Sequence, residues 1–239
     1  MLPAGVEPLP PADLADNRRT MTSLLPRSHA AFLFDMDGTI LTSLAAAERV
    51  WATWAQRHGV DVKTFLPTIH GRRALETIAR LQLPGVDVAA EAKWIEEREM
   101  EDVGGIAQIA GAGRFLATLP AGRWAIVTSA PRQLAKRRLE AAGLSLPPVM
   151  VAAEDVHEGK PAPECFLLGA RKLGVPAGDC LVFEDAPAGI AAGEAAGADL
   201  VVVTATHEHP VETRHPTIAG YDGLALAPAG DGRWNLVSG

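Results

Sequence analysis

From Ala30 onward the chain alternates short apolar runs with amphipathic stretches. The runs at 30–34, 124–128, 149–152, 180–184 and 200–203 read as buried strands. Between and after them, 131–142, 165–173 and the alanine-rich segment opening at Ala186-Pro187-Ala188-Gly189 read as helices. That rhythm predicts a parallel, doubly wound α/β sheet, whose ligands sit beyond the carboxyl ends of the strands where strand order reverses. Between 39 and 114 the strand signal vanishes and helical periodicity takes over, with helices expected at 44–58, 73–81 and 88–103. The tail over 224–237 reads as a hairpin turning at Ala229-Gly230-Asp231-Gly232.

Composition narrows the classes. A chain of 239 residues with 48% hydrophobic positions has enough apolar side chains for one sizeable core and a smaller satellite. Its net charge of -7 argues against nucleic acid as a partner, and no apolar run approaches the length of a membrane span. Cys165 and Cys180 lack metal-ligand spacing and read as reduced core residues of a cytoplasmic protein. The first 29 residues, rich in Pro and Asp early on, hold no apolar segment long enough for a signal peptide. They are expected to be a disordered or loosely draped extension, with Met21 a plausible start.

The candidate chemistry sits where apolar runs end. Phe34-Asp35-Met36-Asp37-Gly38-Thr39 puts two acids one residue apart between a buried strand and a glycine turn, where acids are costly unless paired with a cation or put to use. Alone, the pattern also reads as a calcium-type loop or plain turn chemistry. Thr128-Ser129 ends the second run just before a helix, a place for an anion or for an ordinary N-cap. Lys160, in Gly159-Lys160-Pro161-Ala162-Pro163-Glu164, is either a solvated charge or a cation brought to the site. Glu184-Asp185 closes the fourth run, and acids at two buried strand tips would repel in one cleft without a divalent cation.

In order and spacing these four motifs resemble the haloacid dehalogenase (HAD) superfamily of phosphotransferases, over about 30–203. The resemblance implies a Rossmann-like core at 30–42 and 112–239, with a helical cap at 43–111 hinged near Thr42 and Gly111. It implies Asp35 as the nucleophile, Asp37 as general acid and base, Ser129 and Thr128 as phosphate ligands, and Lys160 as the group that neutralises phosphate and orients Asp35. Mg2+ would be held by Asp35, Asp185 and the Asp37 carbonyl, with Glu184 an outer or occasional ligand. Gly38 would let the backbone turn tightly beside the phosphate.

The same residues rank the members of the superfamily. Asp37 with Glu184 and Asp185 speaks against haloacid dehalogenases and phosphonate hydrolases. β-Phosphoglucomutase-like enzymes share all four motifs but carry a cap histidine where this chain has Ala47, and an arginine where it has Ala74. The implied activity is therefore a Mg2+-dependent phosphatase, with the mutase as the alternative enzyme. A member that only binds a phosphorylated ligand is disfavoured because every catalytic position is filled. The stretch 69–78 looks like the corresponding cap segment of small-sugar and polyol phosphatases, so a small phosphorylated sugar or polyol is the expected substrate. His70 and Arg72 are candidate substrate contacts, or else a helix cap and a solvated charge. Trp51 and Trp54 form either core or a sugar-stacking face. His207 and His209, followed by Pro210 and lacking a third ligand, read as surface loop. A monomer or weak homo-oligomer is expected.

Overall fold

The computed structural model describes residues 22–207, 209–210 and 212–239. Expectations for 1–21, including the start at Met21, lie outside the described residues. In chain order the elements begin with β1 (Thr22–Ser23), β2 (Ala31–Phe34), β3 (Leu41–Thr42), α1 (Leu44–Arg57), α2 (Val62–Phe65), α3 (Ala74–Arg80) and α4 (Val88–Glu101). There follow β4 (Ala107–Gln108), α5 (Ala112–Thr118), β5 (Trp124–Val127), α6 (Arg132–Ala141), β6 (Met150–Val151) and α7 (Glu164–Lys172). The chain ends with β7 (Cys180–Glu184), α8 (Pro187–Ala195), β8 (Asp199–Val203), β9 (Thr217–Ile218), β10 (Leu224–Gly230) and β11 (Arg233–Ser238).

Six strands form the expected parallel sheet in the order β6-β5-β2-β7-β8-β9. Period-two alternation sends their side chains to opposite faces, and both faces are covered. Phe32, Phe34, Ile126, Leu181, Phe183, Val201 and Val203 pack on one side with Phe115 of α5, Leu134 and Leu139 of α6 and Tyr221. Ala31, Leu33, Val127, Val182 and Leu200 pack on the other with Phe166 and Ala170 of α7 and Ala192 of α8. The chain winds outward from β2 through β5 and β6 in one direction, and through β7, β8 and β9 in the other. The reversal falls at β2, so its carboxyl end, where Asp35 follows, is the site predicted for ligand.

The segment before Ala30 departs from expectation. Thr22–Ser23 pairs antiparallel with β11, which also pairs β10, and the wholly buried His29 bridges to Trp234. These pairings span most of the chain, so no local periodicity announces them. Two further features lacked a sequence signal. Leu41–Thr42 pairs with Ala107–Gln108 where the helical insert leaves and rejoins the sheet, and Thr217–Ile218 adds the sixth strand. Strands of two residues are too short to show a period.

The insert packs on itself. Val50, Trp51, Trp54 and Ala55 of α1 meet Phe65, Ile69, Ile78 and Ile95 in a separate buried cluster. Asp87 caps α4 by accepting from the N–H groups of Ala89 (3.0 Å) and Ala90 (3.1 Å), and Asp61 caps the short α2 by accepting from Thr64 N–H at 2.9 Å.

Candidate active site

The four motifs meet at the carboxyl ends of β2, β5 and β7. The backbone N–H of Asp35 still donates to the Phe183 carbonyl at 2.9 Å, which continues the ladder one residue past β2 and fixes where the acid points. Carboxylate oxygens of Asp35, Glu184 and Asp185 lie within 4.8 Å of one another, and all three residues are buried. Among them sits one cation. Lys160, 1% exposed, donates from Nζ to Asp35 Oδ1, to Glu184 Oε1 (2.7 Å) and to the Val127 carbonyl (3.2 Å), with the Phe166 ring centroid 5.1 Å away. The solvated-lysine reading is thereby replaced by a buried one.

Three carboxylates around one ammonium leave an excess of negative charge, and the acids respond to it. Burial, opposed by Lys160 and reinforced by Glu184 and Asp37, pushes the Asp35 carboxyl up to about 8. Burial, then Glu184 and Asp35, holds Asp185 well above the usual carboxylate range. Burial works against the charge of Lys160, yet Asp35 and Glu184 outweigh it and raise its pKa. A divalent cation among these oxygens relieves both burial and repulsion, and the hard oxygen donor set suits one.

Glu184 differs from an outer ligand open to solvent. Its Oε2 accepts from the N–H groups of Asp185 (2.7 Å) and Ala186 (2.9 Å), so both oxygens are already engaged by protein. Only glycine fits above it, since a Cβ on Gly189 would stand 1.5 Å from Oε1. Gly38, at φ +84°, likewise leaves room for Asp185, whose Oδ2 would be 2.0 Å from a Cβ there. Thr39, unremarked in the sequence, donates from Oγ1 to Asp185 Oδ1 at 3.1 Å while its carbonyl accepts from Tyr221 OH at 3.1 Å.

A cavity of about 90 Å³ opens over this cluster, lined among others by Asp35, Asp37, Asp185, Thr128, Ser129, His70 and Arg72. Thr128 Oγ1 accepts from Ala130 N–H at 3.0 Å, and Ser129 Oγ donates to the Gly71 carbonyl of the insert at 3.0 Å. His70 Nε2 lies 3.4 Å from Glu48 Oε1, and burial lowers its pKa despite that carboxylate. Among the described residues Arg72 makes no ion pair, whereas Arg73 ties the insert to the core by donating from Nη2 to the His157 carbonyl (2.8 Å) and from Nη1 to that of Val156 (3.2 Å). Trp54 is wholly buried with Nε1 donating to Glu91, and Trp51 packs edge-on against it at 5.7 Å, so the pair is core; Trp51 also reaches the cavity wall. His209 is exposed and His207 half-buried in the loop after β8, outside the acidic cluster.

Three residues around Asp37, namely Ser43, Arg138 and Glu99, escaped the sequence reading. Asp37 Oδ1 accepts from Ser43 Oγ at 2.5 Å, and Asp37 Oδ2 lies 3.1 Å from Arg138 Nη1. Arg138 Nη2 lies 3.1 Å from Glu99 Oε2. Burial raises the Glu99 carboxyl against the pull of Arg138. A signal for Arg138 existed in its placement on the apolar stripe of Leu134, Ala135 and Leu139.

Comparisons with known proteins give the family. A family model described as haloacid dehalogenase-like hydrolase matches residues 29–197. Hexitol phosphatase A of Escherichia coli is 43% identical over 183 residues, covering 75% of this chain and 85% of its own length. Glycerol-1-phosphate phosphohydrolase 2 of Saccharomyces cerevisiae is 34% identical over 196 residues, covering 74% of this chain and 76% of its own. Among solved structures, a hydrolase from Pseudomonas syringae matches with a TM-score of 0.63 at 25% identity, over 74% of this chain and 84% of that one.

Proposed function

We propose that this chain, which belongs to the haloacid dehalogenase-like hydrolases and is a phosphoric monoester hydrolase, acts on small sugar or polyol monophosphates with Mg2+ as cofactor and Asp35 as nucleophile. The observation that carries the reading is the buried cluster of Asp35, Glu184 and Asp185 around Lys160, opening into a cavity that also holds Asp37, Thr128 and Ser129. Asp35 attacks phosphorus as the ester oxygen leaves with a proton from Asp37. The Asp37 carboxylate then takes a proton from the water that cleaves the aspartyl-phosphate, releasing inorganic phosphate and restoring Asp35. Lys160 keeps Asp35 in line, and Ser129 and Thr128 offer hydroxyls to the phosphoryl oxygens. When bound by the Asp35 and Asp185 carboxylates and the Asp37 carbonyl, Mg2+ supplies positive charge for the phosphoryl oxygens.

The insert is proposed as a cap that excludes water from the first step and selects the leaving group, with His70 and Arg72 as its candidate contacts. Ala47 and Ala74 both line the cavity, so the two places where a mutase would carry histidine and arginine present methyl groups instead. This favours water over a second sugar hydroxyl as acceptor.

Phosphate release measured over a panel of hexitol, hexose, glycerol and nucleotide monophosphates, with and without Mg2+, tests the reading. Mg2+-dependent release concentrated on the sugar and polyol members is expected. Release confined to nucleotides, or bisphosphate-stimulated interconversion with little free phosphate, overturns it.

A pH-dependent response to the cation is also expected. Without a cation Asp35, with its pKa raised from 3.8 to about 8, holds more protons folded than unfolded, and Asp185 shifts in the same direction. Stability of the cation-free protein therefore falls as pH rises from about 4 toward 8. Thermal unfolding with EDTA or saturating Mg2+ should show a larger gain from Mg2+ at pH 8 than at pH 5.5, on the order of 3 kcal/mol at a hundredfold excess over Kd. Equal gains at both pH values would detach the cation from these carboxylates.

A further inference from the structure

Arg138 carries charge where its helix is otherwise apolar. It shares a buried stripe with Leu134, Ala135 and Leu139, and its side chain is only 7% exposed. Stability does not account for it, because a buried ion pair among apolar neighbours is often matched or exceeded by a hydrocarbon of similar volume. Orientation does. The planar guanidinium reaches Asp37 Oδ2 with Nη1 and Glu99 Oε2 with Nη2, both at 3.1 Å, and so fixes two carboxylates relative to each other. With Ser43 Oγ on Oδ1 at 2.5 Å, both oxygens of Asp37 are held and its carboxyl plane is locked. A carboxylate has about four acceptor positions, so each oxygen retains one for a reacting proton.

The two carboxylates come from different bodies. Asp37 follows β2 of the sheet, whereas Glu99 lies in the last turns of α4 in the insert, which packs on α6 where Arg138 sits. Losing the Glu99 contact would free one arm of the fork and the hold on Asp37 with it.

We propose that Arg138 is a positioning residue that orients Asp37 for proton transfer while Glu99 of the docked insert steadies it, so that seating of the insert and readiness of Asp37 are one event. The inference rests on Asp37 being the proton carrier assigned above.

The test compares Arg138→Met, Arg138→Lys and Glu99→Gln on glycerol or hexitol phosphate and on p-nitrophenyl phosphate, whose leaving group departs as a stable anion without a proton. With Arg138→Met, kcat on the alkyl phosphate should fall about 100-fold, the low end of general acid–base contributions, with KM changed less than threefold. The pre-steady-state burst of nitrophenolate should survive within about fivefold, because that half-reaction needs no acid. Arg138→Lys, which reaches one carboxylate at a time, should recover about tenfold of the loss, and Glu99→Gln should lose about tenfold in alkyl-phosphate turnover while keeping the nitrophenolate burst. Equal loss of burst and alkyl-phosphate turnover in the folded Arg138→Lys and Glu99→Gln proteins, or no loss in any variant, overturns the proposal. Asp37→Asn is the control: if it keeps alkyl-phosphate turnover, the assignment of Asp37 fails, and the inference with it. Loss in Asp37→Asn without loss in the Arg138 variants refutes the positioning role alone.

Discussion

Asp35→Asn is expected to lower phosphate release from a sugar or polyol phosphate by about 10⁴-fold or more, the scale seen when a covalent nucleophile is removed, and to leave the fold intact. The amide matches the carboxylate in shape, so the packing against Lys160 and the end of β2 survives. Charge balance moves in favour of the fold, since one of three carboxylates crowded around a single ammonium becomes neutral. Because burial already raises the Asp35 carboxyl to about 8, its ionised form costs stability at high pH. Without cation, Asp35→Asn should therefore be as stable as the parent near pH 5 and more stable at pH 8. Acid-quenched parent protein should carry acid-stable, base-labile phosphate during turnover, and Asp35→Asn should carry none. An active Asp35→Asn protein, or covalent phosphate persisting on it, would remove Asp35 from the mechanism.

The strands that carry the site were legible because each is a buried run with a chemical group at its exit. Phe34-Asp35, Val127-Thr128 and Phe183-Glu184 mark strand ends through an abrupt change from apolar to polar, and the sheet places those ends together. Tertiary pairing over long distances was not legible. Nothing near Thr22–Ser23 or Thr217–Ile218 specifies its partner, and the meeting of Asp37, Arg138 and Glu99 depends on how the insert is seated. Arg138 is the instructive case, because an arginine on an apolar stripe signals a buried counter-charge without saying which acid supplies it. Trp51 and Trp54 show the converse. Their spacing on one helical face fits a sugar platform as well as a core, and only the cluster with Phe65, Ile78 and Ile95 decides for core.

Lys160 joins the stability of this site to its chemistry, so Lys160→Met should affect both in a linked way. Methionine has a similar length and suits a pocket closed to solvent and faced by Phe166, so steric disturbance is small. What is lost is, among the described residues, the one ammonium bonded to both Asp35 and Glu184. Removing one partner from a buried charge cluster costs about 3–5 kcal/mol, which should be read as a fall in unfolding free energy in urea at pH 8 without cation. The sign of the pH dependence follows from the acids left behind. With the ammonium gone, Asp35 and Asp185, already raised by burial, lose a group that holds them down, so the folded protein binds more protons than the unfolded chain and the deficit shrinks as pH is lowered toward 5. Turnover should fall about 10² to 10³-fold even at saturating Mg2+, because the transferring phosphoryl group loses a preorganised positive charge. The two effects should separate with a cation: if Mg2+ is held by Asp35 and Asp185 as proposed, it should restore much of the stability and little of the turnover, since turnover also needs the Nζ contact that orients Asp35. A Lys160→Met protein as stable as the parent at pH 8 would show that the carboxylates are balanced by something other than this lysine, and full turnover would show that the lysine is a structural counter-ion alone.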